Sequence, residues 1–316
     1  MIEGKVVLLG GTGFILSHVA ERYAENGNEL VIFDNNQEHD LYEETRKLIA
    51  DYRNVTYVQG DVRDKNALLM AVDKAETVYQ FAALMGTSAR FGQEVYTAEV
   101  NILGMLNACQ AALEAGVKYF IYPARPILSN WLTPYIITKT AATQFTQMYH
   151  KVYGLPTVGL LIQNCFGPRE RSVLNPDTLR PGEGRKFIST AIIAALRNEP
   201  VPVFGDGEQS SDFVYIQDCV EACLQAPCRA AVGKTMEIGS GVNTRVIDVA
   251  NLIIKLTGSK SEIEFLPMRT GEVKVHTKAD LAAAKKYLDW QPETSLAEGL
   301  KNAIPYYERA IMRSER

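Results

Sequence analysis

The feature that most constrains this chain is an order. Short apolar runs at residues 6–9, 30–33, 55–58 and 77–81 alternate with amphipathic stretches at 15–26, 43–51 and 65–72. A run of four or five apolar residues is the length of a buried strand, and each stretch between them is long enough for a helix. Strands joined by helix-length crossovers pair in parallel. The pattern therefore predicts an α/β fold, a doubly wound parallel sheet with helices on both faces, and such sheets bind ligands at the carboxyl ends of their strands.

The alternation continues with a helical pattern at 98–115 and a strand-like run at 118–122. A long helix is expected from Pro134, a residue suited to a first helical turn, to about Val152. Residues 167–185 then carry three prolines, three glycines and mixed charges, the composition of an ordered excursion or lid beside the cleft. Beyond it, 188–197 and 246–256 read as helices, 201–204 as a strand, and a charged helix closes the chain. With 316 residues there is room for two units. The expected division is 1–165 for a Rossmann-type cofactor domain and 166–316 mainly for a smaller α/β substrate-binding lobe, with some segments returning to the first.

Directly after the first strand stands Gly10-Gly11-Thr12-Gly13-Phe14-Ile15. Glycines at a strand-to-helix turn allow a tight bend, so that the helix N-terminal amides point at a pyrophosphate. Leu16 departs from the pattern, standing where a third small residue would bring helix and strand together. The second strand ends in Asp34-Asn35. A carboxylate there accepts from both adenosine ribose hydroxyls and repels a 2′-phosphate, which favours NAD over NADP. Asp61 and Val62 follow the third strand, where a carboxylate can meet the adenine edge. Phe81-Ala82-Ala83 ends the fourth, where small residues leave room for a cofactor.

A net charge of −4 gives no long-range attraction to nucleic acid or anionic membranes. No apolar stretch has the length of a membrane span. The five cysteines show no metal-ligand spacing, and Cys219 and Cys223, four apart, read as buried thiols of a helix. The expectation is a cytoplasmic protein without a metal.

Tyr135 and Lys139 stand four apart on the expected long helix and so share one face. A phenol, with a pKa of about 10, is a poor base near neutrality, but a neighbouring ammonium and a cationic nicotinamide favour its phenolate. Such a residue can exchange a proton with a carbinol while a nicotinamide takes the hydride.

Together these stretches resemble the NAD-dependent epimerase/dehydratase family, the extended short-chain dehydrogenases that act on nucleotide sugars. The similarity runs through Val100-Asn101-Ile102-Leu103-Gly104, Asn164-Cys165-Phe166-Gly167-Pro168-Arg169, Phe204-Gly205-Asp206-Gly207, Asp212-Phe213-Val214-Tyr215, Arg269-Thr270-Gly271-Glu272 and Trp290-Gln291-Pro292. The resemblance implies NAD as cofactor, Tyr135 as catalytic base, and Lys139 as the group that assists it and holds the nicotinamide ribose. It also implies Asn101 at the cofactor, Asn164 and Arg269 around a nucleotide diphosphate, and a homodimer formed through the helices at 98–115 and 134–152; where the usual phosphate clamp is lacking, Arg185, Lys186 or Arg269 must carry a diphosphate's charge. The Met85-Gly86-Thr87-Ser88 loop can reach the sugar or serve only as a connection.

Three departures qualify this. Arg125 stands where the family places a Ser or Thr hydroxyl beside the reacting carbinol, leaving Ser129 and Thr133 as the nearby hydroxyls. Loss of one positioned donor costs ~10²–10³ in rate. No Asp or Glu lies between Tyr122 and Tyr135, which disfavours 4,6-dehydration, since eliminating water needs an acid and a base at neighbouring carbons. Ser211 replaces an Arg that commonly clamps the diphosphate. The expected activity is NAD-dependent oxidation at C4 of a nucleotide-diphosphate sugar, as an epimerase or a 4-dehydrogenase. The alternatives are an enzyme acting on a non-nucleotide carbonyl, and a catalytically weakened NAD-binding protein.

Overall fold

A computed structural model describes residues 2–37, 41–128, 130–170 and 186–314. The first half runs β1 (Val6–Leu9), α1 (Phe14–Glu25), β2 (Leu30–Asp34), α2 (Glu43–Asp51), β3 (Val55–Gln59), α3 (Lys65–Val72), β4 (Thr77–Gln80), α4 (Glu94–Ala98), α5 (Gly104–Ala115), β5 (Tyr119–Pro123), α6 (Pro134–Tyr153) and β6 (Thr157–Ile162). The second runs β7 (Asn164–Phe166), α7 (Phe187–Leu196), β8 (Val201–Phe204), β9 (Ser210–Tyr215), α8 (Ile216–Gln225), β10 (Thr235–Ile238), β11 (Asn243–Arg245), α9 (Val246–Thr257), β12 (Ile263–Leu266), α10 (Ala282–Leu288) and α11 (Leu296–Ser314).

Seven strands form one sheet in the order β10-β6-β5-β4-β1-β2-β3, every pair parallel. Because side chains alternate along a strand, β1 feeds two cores. Val6 and Leu8 join Leu16 and Val19 of α1 and Cys219 and Cys223 of α8 on one face. Val7 and Leu9 join Leu68 of α3, Met105 of α5 and Tyr149 of α6 on the other. Each such side chain, fully buried, contributes about 1.5–3 kcal/mol. The chain order reverses at β1, which lies between β2 and β4, so a crevice opens at its carboxyl end.

The second half adds a three-stranded sheet, β11-β9-β7, and a parallel pair, β12-β8. It also returns β10 to the large sheet beside β6. The pattern at 98–115 is not one regular helix: it begins at α4, passes through a π-helical turn at Glu99–Leu103, and only then becomes α5. Residues 171–185, most of the expected excursion, lie outside the described residues. Among the described residues no helix is long and apolar enough to cross a membrane, and no cluster of His, Cys, Asp or Glu is suited to a metal.

Candidate active site

The crevice at β1 is built by backbone contact. Gly10 sits at φ +81°, and a Cβ there would lie 2.6 Å from the Ala82 nitrogen, so the turn after β1 rests directly on the end of β4. Ala82 is thus part of that contact, while the Phe81 ring packs against Tyr79. Helix α1 starts with Gly13 as its N-cap, no side chain caps it, and its first turn holds no acidic residue. The N–H groups of Phe14 and Ile15 have no acceptor one helical turn back, and the positive end of the helix dipole faces the crevice. These residues fit a dinucleotide pyrophosphate. Leu16, where a small residue was expected, is buried in the core instead.

Asp34 braces this turn. Its carboxylate accepts from the Thr12 N–H at 3.0 Å and the Asn36 N–H at 3.3 Å, while the Asn36 side chain donates to Thr12 Oγ1 at 2.7 Å. Asn35 is exposed, so Asn36, unnoticed in the sequence, is the residue that ties the two strand ends together.

Three of the expected cofactor residues also have protein partners of their own. Arg63 donates to both oxygens of Asp61, at 3.0 and 2.7 Å, and holds its carboxyl below its ordinary value. The Val62 side chain is buried against Gly104, where α5 passes too close for a larger residue. Asn101, on the π-helical turn, accepts from Leu84 N–H at 2.7 Å and donates to Leu84 O at 3.2 Å and Thr138 Oγ1 at 3.0 Å. Its amide is a buried strut between the loop after β4 and α6. The π turn presents it there, as such insertions often do at functional sites.

Helix α6 has a firm start. Thr133 caps it by accepting from Ile136 N–H at 3.3 Å, Pro134 occupies the first turn, and Gly154 ends it in a left-handed conformation. Thr133 is fully buried in this role. Ser129 lies outside the described residues. Arg125 lies two residues beyond the end of β5. Its N–H donates to Thr143 Oγ1 at 2.9 Å, Thr140 Oγ1 donates to Pro126 O at 3.2 Å, and the loop is thereby stapled to α6. The Arg125 guanidinium carbon lies 6.0 Å from the Tyr135 ring centre and 5.9 Å from that of Trp131. Tyr135 and Lys139 are both buried, on one face of α6. Burial first, and Arg125 second, push the Lys139 ammonium down to about 8.

The second half closes over this centre. Glu272 accepts from Thr87 Oγ1 at 2.6 Å and from Arg269 Nε and Nη2 at 2.9 and 2.7 Å. Gly271, at φ +73°, leaves no room for a Cβ, which would lie 2.5 Å from Phe91 and 3.3 Å from Thr133 at the start of α6. Arg269 also lies 4.7 Å over the Phe204 ring. Glu272 takes two of its five N–H donors, and the others can serve a phosphate. Asn164 and Lys186 are exposed, at the starts of β7 and α7. Met85 is exposed, and its carbonyl accepts from Arg90; Ser88 lies in the short turn that follows.

A nucleotide-binding crevice with a Tyr-Lys pair at its edge defines a dehydrogenase-type centre, and the chain belongs to the NAD dependent epimerase/dehydratase family, whose model matches residues 6–239. Its cofactor is NAD. It is 29% identical to an uncharacterized UDP-glucose epimerase of Bacillus subtilis, over 96% of this chain and 97% of that one. It is 27% identical to a UDP-glucuronate 4-epimerase of Thermodesulfobacterium geofontis, over 98% and 97%. Among solved structures it resembles the UDP-glucose 4-epimerase of Thermotoga maritima with UDP-glucose, with a TM-score of 0.84 and 27% identity over 97% of this chain and 99% of that one.

Proposed function

We propose that the protein is a C4 epimerase of a nucleotide-diphosphate hexose, with residues 1–165 mainly holding the cofactor and 166–316 mainly the substrate. The observation that carries this is Tyr135 and Lys139 on one buried face of α6, at the edge of the crevice, with no acidic residue between Tyr122 and Tyr135. Bound NAD supplies the hydride acceptor. Tyr135 takes the C4 hydroxyl proton and returns it to the ketone oxygen once the sugar has turned, which needs no second acid or base. Lys139 shares the Tyr135 face of α6, and the Arg125 guanidinium carbon lies 6.0 Å from the Tyr135 ring centre, so two cationic side chains flank the proton-exchanging group. Arg269 and Lys186 serve the diphosphate in place of the clamp lost at Ser211.

The test is to incubate the purified protein with UDP-hexoses and follow products by NMR and NADH by absorbance. Interconversion of C4 epimers without net NADH supports the reading. Stoichiometric NADH release would instead make the protein a 4-dehydrogenase, the second reading.

The cytoplasm is the proposed location, in keeping with five free thiols, four of them buried. The proposed assembly is a homodimer. Leu103, Ile137, Phe145 and Val152, on the π turn and α6, are 45%, 51%, 39% and 64% exposed, a costly face for a monomer to leave in water. Packing of α5 and α6 against their copies would cover it. Light scattering is expected to give twice the 35.1 kDa chain mass, and Phe145→Glu to give the monomer. A monomeric wild type at micromolar concentration would count against the dimer.

A further inference from the structure

The neighbourhood of Tyr135 holds more positive charge, and more unmet donors, than a neutral sugar needs. Arg125 Nε and Trp131 Nε1 are both buried, and among the described residues neither meets an acceptor. The guanidinium carbon lies 5.9 Å from the Trp131 ring centre, so the two orphaned N–H groups belong to neighbouring side chains. A buried donor left unpaired is costly, and a desolvated charge more so. Among the described residues neither Arg125 nor Lys139 has an ion pair, and Arg125 disfavours the charge on Lys139. The cationic nicotinamide of bound NAD would add a third positive charge. The pyrophosphate belongs at the α1 N-terminus, on the other side of the crevice.

We infer that the hexose carries a carboxylate at C5, a uronic acid, and that Arg125 with Trp131 binds it beside the reacting carbon. This rests on the epimerase reading and names its substrate class. A C5 carboxylate brings a negative charge next to C4. A guanidinium matches it with charge-assisted hydrogen bonds in a planar fork, and the indole N–H adds a further donor. Arg125 is then a specificity residue, and the family hydroxyl it replaces is absent because the carboxylate contact takes over positioning of the sugar.

The experiment measures kcat/KM of the full chain for UDP-glucuronate and UDP-glucose, and repeats both with Arg125→Ser, Arg125→Lys and Trp131→Phe. The wild type is expected to prefer the uronate by about 10²-fold, the worth of a charge-assisted contact. The ratio should collapse about 10²-fold in Arg125→Ser. It should be partly kept in Arg125→Lys, which keeps the charge but loses the fork. In Trp131→Phe, which keeps a ring without the donor, it should fall a few-fold. The ratio cancels any general loss of folded enzyme. Equal or better use of UDP-glucose by the wild type, with a ratio unmoved in Arg125→Ser, would overturn the uronate assignment and leave the epimerase reading standing. Turnover of neither sugar by cofactor-loaded protein would overturn the epimerase reading itself.

Discussion

Tyr135→Phe is expected to lower turnover by about 10³-fold while the protein keeps its fold and its NAD. The factor is that of a positioned general base. Phenylalanine keeps the ring, which is buried, and so keeps its packing near Arg125; only the oxygen that exchanges the proton is lost. The neighbours cannot fully replace it. Arg125 has donors only and stays charged near neutrality. Lys139, pushed down to about 8 by burial and by Arg125, is the one group whose neutral form is accessible at mildly alkaline pH. The measurement is single-turnover reduction of bound NAD across pH, with cofactor content determined on the same sample. A loss of only about tenfold, with residual activity rising through pH 8, would make Lys139 the base and refute the role given to Tyr135.

The parts of this site legible in the sequence are those fixed by local physics. β1, α2, α3 and β8 fall at the positions their apolar periodicity marks, because burial on a sheet or helix face is written in spacing. The turn at Gly10 was readable because its conformation excludes other residues. Partner choice across long sequence distances was not. Asp34 was read as a ribose acceptor, but its brace to Thr12 depends on how β2 ends beside the turn after β1. The sequence marks Asn101 as a cofactor residue, but its hydrogen bonds to Leu84 and Thr138 depend on the π turn that carries it. Asp61 was read against adenine, while Arg63 two residues on takes its carboxylate. Glu272 lay inside a recognised motif, yet its hydrogen bond reaches Thr87, 185 positions away. Trp131 could have been noticed as an aromatic donor in a segment otherwise poor in partners for Arg125.

The second half of the chain hangs on a carboxylate that the sequence presented only as part of a motif. Asp212, on β9, is wholly buried. One of its oxygens accepts from the Ser240 N–H at 2.6 Å and the Ser240 hydroxyl at 2.7 Å, the other from the Gly241 N–H at 2.9 Å and the Ala279 N–H at 3.0 Å. It therefore fastens the turn after β10 and the approach to α10 onto the small sheet, and β10 belongs to the large one. Asp212→Ala would leave three backbone N–H groups buried without acceptors. At about 1–3 kcal/mol for each, the loss is roughly 3–9 kcal/mol, a large part of the ~5–15 kcal/mol that holds an ordinary domain together. Asp212→Asn should cost nearly as much, because its NH₂ group would face donors where an oxygen now accepts. The expected result is a lowered urea midpoint, with early protease cleavage in residues 235–282 and weakened nucleotide-sugar binding, while Tyr135→Phe leaves all three unchanged. A urea midpoint equal to that of the wild type would show that the lobes hold together without this carboxylate.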